Sequence, residues 1–118
     1  MELSVYVDGS GGDNSGYGYF VKETGESFYE KKLGITNNQA EYLGIISALE
    51  KLGGLGNTIT IYSDSKNTVS QLNHGFAINS EALRDLARKA WSLIANISGL
   101  KIVWIPRSQN LAGKMLGS

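Results

Sequence analysis

Two distant stretches of the chain repeat one pattern, and that pattern narrows the folds open to it. Leu3-Ser4-Val5-Tyr6-Val7-Asp8-Gly9-Ser10 is rich in β-branched and aromatic residues and ends in a Gly-Ser turn, as a strand does. Thr58-Ile59-Thr60-Ile61-Tyr62-Ser63-Asp64-Ser65 alternates in the same way and again sets a tyrosine two residues before an aspartate. Successive strand side chains take opposite faces, so Val5 and Val7 share one face while Tyr6 and Asp8 share the other. If the two strands lie parallel and adjacent, about 4.8 Å apart, Asp8 and Asp64 stand side by side. Two like charges that close raise a pKa or recruit a cation. An Asp-Gly or Asp-Ser step also suits a plain turn at a strand end, so neither acid alone marks a site.

Between the two strands, Gly11-Gly12-Asp13-Asn14-Ser15-Gly16 reads as a tight turn, Tyr17 to Lys22 as a strand and Glu23-Thr24-Gly25-Glu26 as a hairpin turn. A third strand runs from Ser27 to Leu33, which completes an antiparallel meander. Thr36-Asn37-Asn38-Gln39 then supplies capping side chains for a helix to about Leu52. Its inward line is Ile45, Ala48 and Leu52, with Ile46 and Leu49 beside it. Glu41 lies on that line, whereas Glu50 falls on the opposite, solvated side. An acid on a buried stripe is costly unless paired or bound to a cation. The crossover from first strand through helix to fourth strand favours parallel pairing.

Ser65 to Asn73 is expected to form a short helix with Val69 and Leu72 inward. A longer helix from Ser80 to Asn96 carries the stripe Leu83, Leu86, Ala87, Ala90, Ile94 and Ile97 and a wet face of Arg84, Asp85, Arg88 and Lys89. Leu100 to Ile105 is a fifth strand, and Asn110 to Leu116 a closing helix. Trp91 and Trp104 are expected in the core. Tyr17 and Tyr19 suit either the flank of a groove or the outward face of a strand.

At 118 residues, 42% apolar and 19% charged, the chain fits one α/β domain over residues 1–118. No apolar run approaches the roughly 18 residues of a membrane span, and no signal peptide is legible at the amino terminus, so a cytoplasmic location is expected. With no cysteine there is no thiolate metal site or thiol nucleophile. Formal net charge is zero, which argues against a non-specific polyanion binder. Yet residues 1–65 carry a balance of −5 and residues 66–118 one of +5. That split suits a cation site beside a polyanion groove, or is an accident of surface charge.

Asp8, Asp64 and Glu41 therefore converge from different elements. Oxygen donors without a cysteine or histidine cluster select hard cations, Mg²⁺ or Mn²⁺, over zinc. Two such ions about 4 Å apart activate a water and steady the leaving oxygen in phosphodiester cleavage. The order Val7-Asp8-Gly9-Ser10, Thr36-Asn37-Asn38-Gln39-Ala40-Glu41, Ser63-Asp64-Ser65 and Arg107-Ser108-Gln109-Asn110 resembles type 1 ribonuclease H over nearly the whole chain. The Thr-Asn-Asn-x-x-Glu segment is the specific part.

The resemblance implies an RNase H-like fold: a five-stranded mixed sheet flanked by helices, an antiparallel meander of strands 1–3 with strands 4 and 5 parallel to strand 1. It implies an endoribonuclease that cuts the RNA strand of RNA/DNA hybrids with two divalent ions, Mg²⁺ or Mn²⁺, and leaves 5′-phosphate ends. By resemblance, Asp8, Glu41 and Asp64 match the first three metal-binding carboxylates. Asn14, Thr36, Asn37 and Asn38 fall where phosphates and the minor groove are held, and Lys66 beside the third carboxylate can touch substrate.

Two departures from the family pattern stand out. Its fourth acid usually follows the motif asparagine by four residues, where this chain has Lys114. A protonated lysine cannot ligate a cation, which leaves the amide oxygen of Asn110 as the candidate neutral fourth ligand, directly or through water. The lost charge is expected to weaken the second ion, slow turnover or favour Mn²⁺. Lys114 then contacts a phosphate or is a solvated helix residue. Many relatives also carry a histidine on the loop before the last helix; the lone His74 sits elsewhere, as a surface or cap residue. Arg107 lies near that loop position, to help the scissile phosphate leave or as a plain surface arginine. Gly75 to Asn79 is too short for the basic handle some relatives insert there. The alternatives are a module that grips hybrid or double-stranded nucleic acid with little or no cutting, and another nuclease on the same fold, such as a junction resolvase. A monomer without an obligate protein partner is expected.

Overall fold

A computed structural model of the chain describes residues 1–54, 56–74, 77–78 and 80–115, the side chains at 74, 114 and 115 excepted. The strands β1 (Glu2–Ser10), β2 (Gly16–Val21) and β3 (Ser27–Lys31) form the expected meander. Gly25, at φ 77°, makes the turn between β2 and β3 in a conformation that costs glycine nothing. The helix α1 (Asn37–Leu52) crosses the sheet and delivers β4 (Thr58–Ser63) parallel to β1. Then follow α2 (Lys66–His74), α3 (Glu81–Ala95), β5 (Lys101–Trp104) parallel to β4, a 3-10 turn at Arg107–Gln109 and α4 (Leu111–Met115). The strand order is β3-β2-β1-β4-β5.

The repeated tyrosines fix the register that matters. Tyr6 lies opposite Tyr62, and their rings stack with centroids 5.0 Å apart, so each aspartate sits two residues beyond the stacked pair. On the other face of β1, Val5 and Val7 are fully buried with Ile59 and Ile61 of β4 and Val21 of β2. Ile45, Ala48 and Leu49 of α1 belong to the same core, and α3 adds Ala87 and Ala90. Burying one such aliphatic side chain is worth about 1.5–3 kcal/mol, so this cluster is the stabilising mass of the molecule.

Helix α1 lies unusually close to β1. A Cβ on Gly9 would stand 2.4 Å from the Ala40 carbonyl carbon, and one on Gly44 would stand 3.1 Å from the Asp8 carbonyl oxygen. Two hydrogens where side chains would be let the backbones approach. Thr36 caps the helix in a reciprocal box: its hydroxyl accepts from the Gln39 N–H (3.1 Å) and its own N–H donates to Gln39 Oε1 (2.9 Å).

Four aromatic placements correct the sequence expectations. Trp91 and Trp104 are not core residues; they are 38% and 44% exposed. Each indole N–H instead reaches a main-chain carbonyl, of Leu72 (3.1 Å) and of Asp64 (3.2 Å) respectively, which leaves the ring at the surface. Tyr17 and Tyr19 are buried, and so neither flanks a groove nor faces outward. They share the face of Val5 and Val7 through the pairing of Val7 with Tyr19 and Gly9 with Tyr17. Strand β3 also stops at Lys31, short of Leu33, and Gly34 at φ 80° turns the chain toward α1.

Candidate active site

Strand β1, the first turns of α1 and the end of β4 meet at the C-terminal end of the two neighbouring inner strands of the sheet. Asp8 reaches it from β1, Asp64 from the residue just past β4, and Glu41 from the buried side of α1. Each offers a carboxylate oxygen, and these oxygens all lie within 4.8 Å of one another. Asp8 is 5% exposed and Glu41 7%. The Gly9 N–H donates to Glu41 Oε1 (3.2 Å) and the Ser63 hydroxyl donates to Oε2 (3.4 Å). Both contacts favour the anion, but they are outweighed. Burial first, then the charges of Asp8 and Asp64, push the Glu41 carboxyl up to about 8.

A buried acid left with two like charges is the chemistry of a cation site. Hard oxygen donors that close, without sulfur or imidazole, fit Mg²⁺ or Mn²⁺. The acids open onto a hollow of about 230 Å³, also lined by Gly9, Ser10, Asn37, Asn38, Ser65 and Arg107. Asn37 and Asn38 stand at the start of α1, and Asn37 Oδ1 accepts the Gly11 N–H, which ties the glycine turn to the helix.

Other expected residues lie farther out. Asn14 is exposed in the turn before β2, and the Thr36 hydroxyl oxygen accepts the Gln39 N–H as the helix cap, a bond that does not use its O–H. Lys66 begins α2 with its ammonium 5.6 Å from the centre of the Trp104 ring. None of these three lines the hollow. The side chains of Lys114 and His74 lie outside the described residues, as do Gly75, Phe76 and Asn79 of the short connection before α3.

Asn110 is fully buried beside the acids, but its oxygen is not the atom that faces them. Its Nδ2 donates to Asp64 Oδ2 (2.9 Å) and to the Val7 carbonyl (2.9 Å), while its Oδ1 accepts from the Ala112 N–H (3.1 Å). Two acceptors on one side and a donor on the other fix which way the amide points. The amide thus turns its nitrogen, not its oxygen, toward Asp64. Ser63 is a contact the sequence reading passed over. Its signal is a hydroxyl in the otherwise apolar row Ile59, Ile61, Ser63 on the face that α1 covers.

Among known proteins, the family described as reverse transcriptase-like matches residues 24–117. EbsB of Enterococcus faecalis is 33% identical over 122 residues, covering 97% of this chain and 90% of that protein. Rv2228c of Mycobacterium tuberculosis is 31% identical over 119 residues, and there the match spans 93% of this chain but a third (33%) of the longer protein. The solved N-terminal RNase H domain of Rv2228c superposes with a TM-score of 0.86 at 26% identity, covering 98% of this chain and 90% of that one. RNase H1 of Halobacterium salinarum does so with a TM-score of 0.83 at 27% identity, covering 93% and 89%.

Proposed function

Because the chain belongs to the reverse transcriptase-like family of RNase H-like proteins, we propose that it is a ribonuclease H, an endonuclease that hydrolyses the RNA strand of RNA/DNA hybrids. The observation that carries this is the convergence of Asp8, Glu41 and Asp64, with oxygens within 4.8 Å of one another, at the mouth of a hollow lined by amides and an arginine. A relative in Halobacterium salinarum, 33% identical over 97 residues, is named ribonuclease HI.

Asp8, Glu41 and Asp64 would hold two divalent ions, Mg²⁺ or Mn²⁺, over one ribose-phosphate linkage. Bound there, the ions supply charge stabilisation of the phosphoryl oxygens and a water made nucleophilic at neutral pH. Every other step rests on the chain. Glu41 would hold a cation as the carboxylate, since a neighbouring positive charge would offset the penalty that burial and the two aspartates impose on its ionised form. Asn37 and Asn38 offer amide groups to the ribose 2′-hydroxyl, the feature that separates RNA from DNA. Arg107 neutralises the phosphate beside the hollow, and Asn14, Thr36 and Lys66 hold phosphates farther along the duplex. The enzyme acts as a monomer.

The test is cleavage of an end-labelled hybrid in Mg²⁺ and then in Mn²⁺. Cleavage of the RNA strand that Asp8→Asn abolishes supports the reading. Retention of the hybrid without cleavage in either metal would make the chain a binding module, and preferential cutting of four-way DNA would make it a resolvase; either result overturns it. Among the described residues no helix is long and apolar enough to cross a membrane.

A further inference from the structure

We propose that Asn110 is a positioning residue that sets the distance between the Asp8 and Asp64 carboxylates, and does not itself ligate an ion. The inference rests on the reading of the acids as a metal site and adds how that site keeps its shape.

The two strands that carry the aspartates are joined by a parallel ladder whose last register pair is Tyr6 with Tyr62. Both acids lie beyond it: Asp8 is still paired with Gly18 of β2, but no β1–β4 pair fixes its spacing from Asp64, which follows the end of β4. Asn110 takes over there. One hydrogen of its Nδ2 goes to the Val7 carbonyl, one residue before Asp8, and the other to the Asp64 carboxylate, so a single planar group bridges the two strand tips. Its third contact, Oδ1 to the Ala112 N–H, anchors that plane to the start of α4. The side chain has no exposed surface, so the bridge is held by packing on all sides. Asp64 is gripped from its main-chain side as well, by the Trp104 indole N–H on its carbonyl. A hydrogen bond from a neutral amide to a carboxylate orients that carboxylate while leaving its negative charge for a cation.

The experiment measures Mn²⁺ binding by calorimetry without substrate, beside hybrid cleavage and thermal melting, for the parent, Asn110→Ala and Asn110→Asp. Outer contacts of this kind are typically worth about 10- to 100-fold in metal affinity, and both variants are expected to lose that much. The fall in cleavage is expected in kcat at fixed Mn²⁺ and to be recovered partly by raising Mn²⁺, with KM for the hybrid unchanged. Asn110→Asp keeps the volume and the acceptor for Ala112 but has no N–H to give Asp64. It therefore separates loss of the donor from loss of packing if Asn110→Ala melts too low to handle.

Asn110→Asp that binds Mn²⁺ as tightly as the parent, or tighter, overturns the proposal, since that is how a position facing the ion would behave. A crystal structure of the parent with Mn²⁺ decides without any variant: Oδ1 on Ala112 supports the bridge, Oδ1 within coordination distance of an ion ends it. A parent that binds no Mn²⁺ and cuts no hybrid would instead bring down the metal-site reading beneath it.

Discussion

The two halves of helix α1 are built from opposite materials. From Ile45 to Leu52 its inward face is aliphatic and joins Val5, Val7, Ile59 and Ile61 of the sheet and Ala87 and Ala90 of α3. One turn earlier the same face carries Glu41, whose surroundings are two aspartates, the Ser63 hydroxyl and the Gly9 N–H. The C-terminal half is stabilised by what it buries, and the N-terminal half is destabilised by it. The difference teaches that the apolar half holds the acidic half in a place it would not choose. A rigid helix transmits that grip along its axis, and the backbone contact at Gly9 and Ala40 passes it to β1.

The sharpest way to break that contrast is Glu41→Gln. Removing one oxygen anion from the cluster is expected to lower hybrid cleavage about a thousandfold, since metal-borne stabilisation of several kcal/mol is lost. The metal-free protein is expected to move the other way. A carboxyl raised from 4.5 to about 8 in the folded state costs nothing below pH about 4.5, and its penalty grows as pH rises toward 8. At 1.36 kcal/mol per unit the full penalty is on the order of 5 kcal/mol. Melting curves without metal should therefore fall between pH 5 and 8 for the parent and stay flatter for Glu41→Gln, with the variant the more stable at pH 8. A variant no more stable than the parent there would mean that the acid is not strained.

Ile45→Ala addresses the other half. It is expected to cost about 2–5 kcal/mol by denaturant titration while kcat survives well below the melting point. An equal loss of kcat at low temperature would show that the halves are not separable. Gly9→Ala acts on the joint between them. The added methyl group has no room against Ala40, so a loss of about 1–3 kcal/mol is expected, with a drop in cleavage as Glu41 is pushed from Asp8. Arg107→Ala is the mildest: if its guanidinium meets a phosphate, the slope of log binding against log salt should fall by about 0.9. An unchanged slope would make it a plain surface arginine.

The acidic cluster was legible because it lies on local regularities. A period of two put both aspartates on one face of their strands, and a helical period put Glu41 on an apolar line. Neither depends on distant parts of the chain. What was not legible depends on them. The amide of Asn110 takes its direction from Val7, Asp64 and Ala112, the first two on or just past strands far away in sequence. Residue type alone offered both an oxygen and a nitrogen, and gave no basis for choosing. The tryptophans were placed inside from their helix and strand positions, but each indole had a carbonyl to reach at the boundary. Tyr17 and Tyr19 were placed at a groove or facing outward but are buried, because the sequence did not say which face of β2 the helix would cover.

The stacked rings of Tyr6 and Tyr62 carry a consequence for the unloaded protein. Repulsion between two anions at the ends of paired strands acts as a lever that splays them, and the fulcrum is the pair of rings directly behind. Two flat aromatic plates pressed together resist that torque. The stacked pair thus opposes the parting of the two strand ends behind the aspartates.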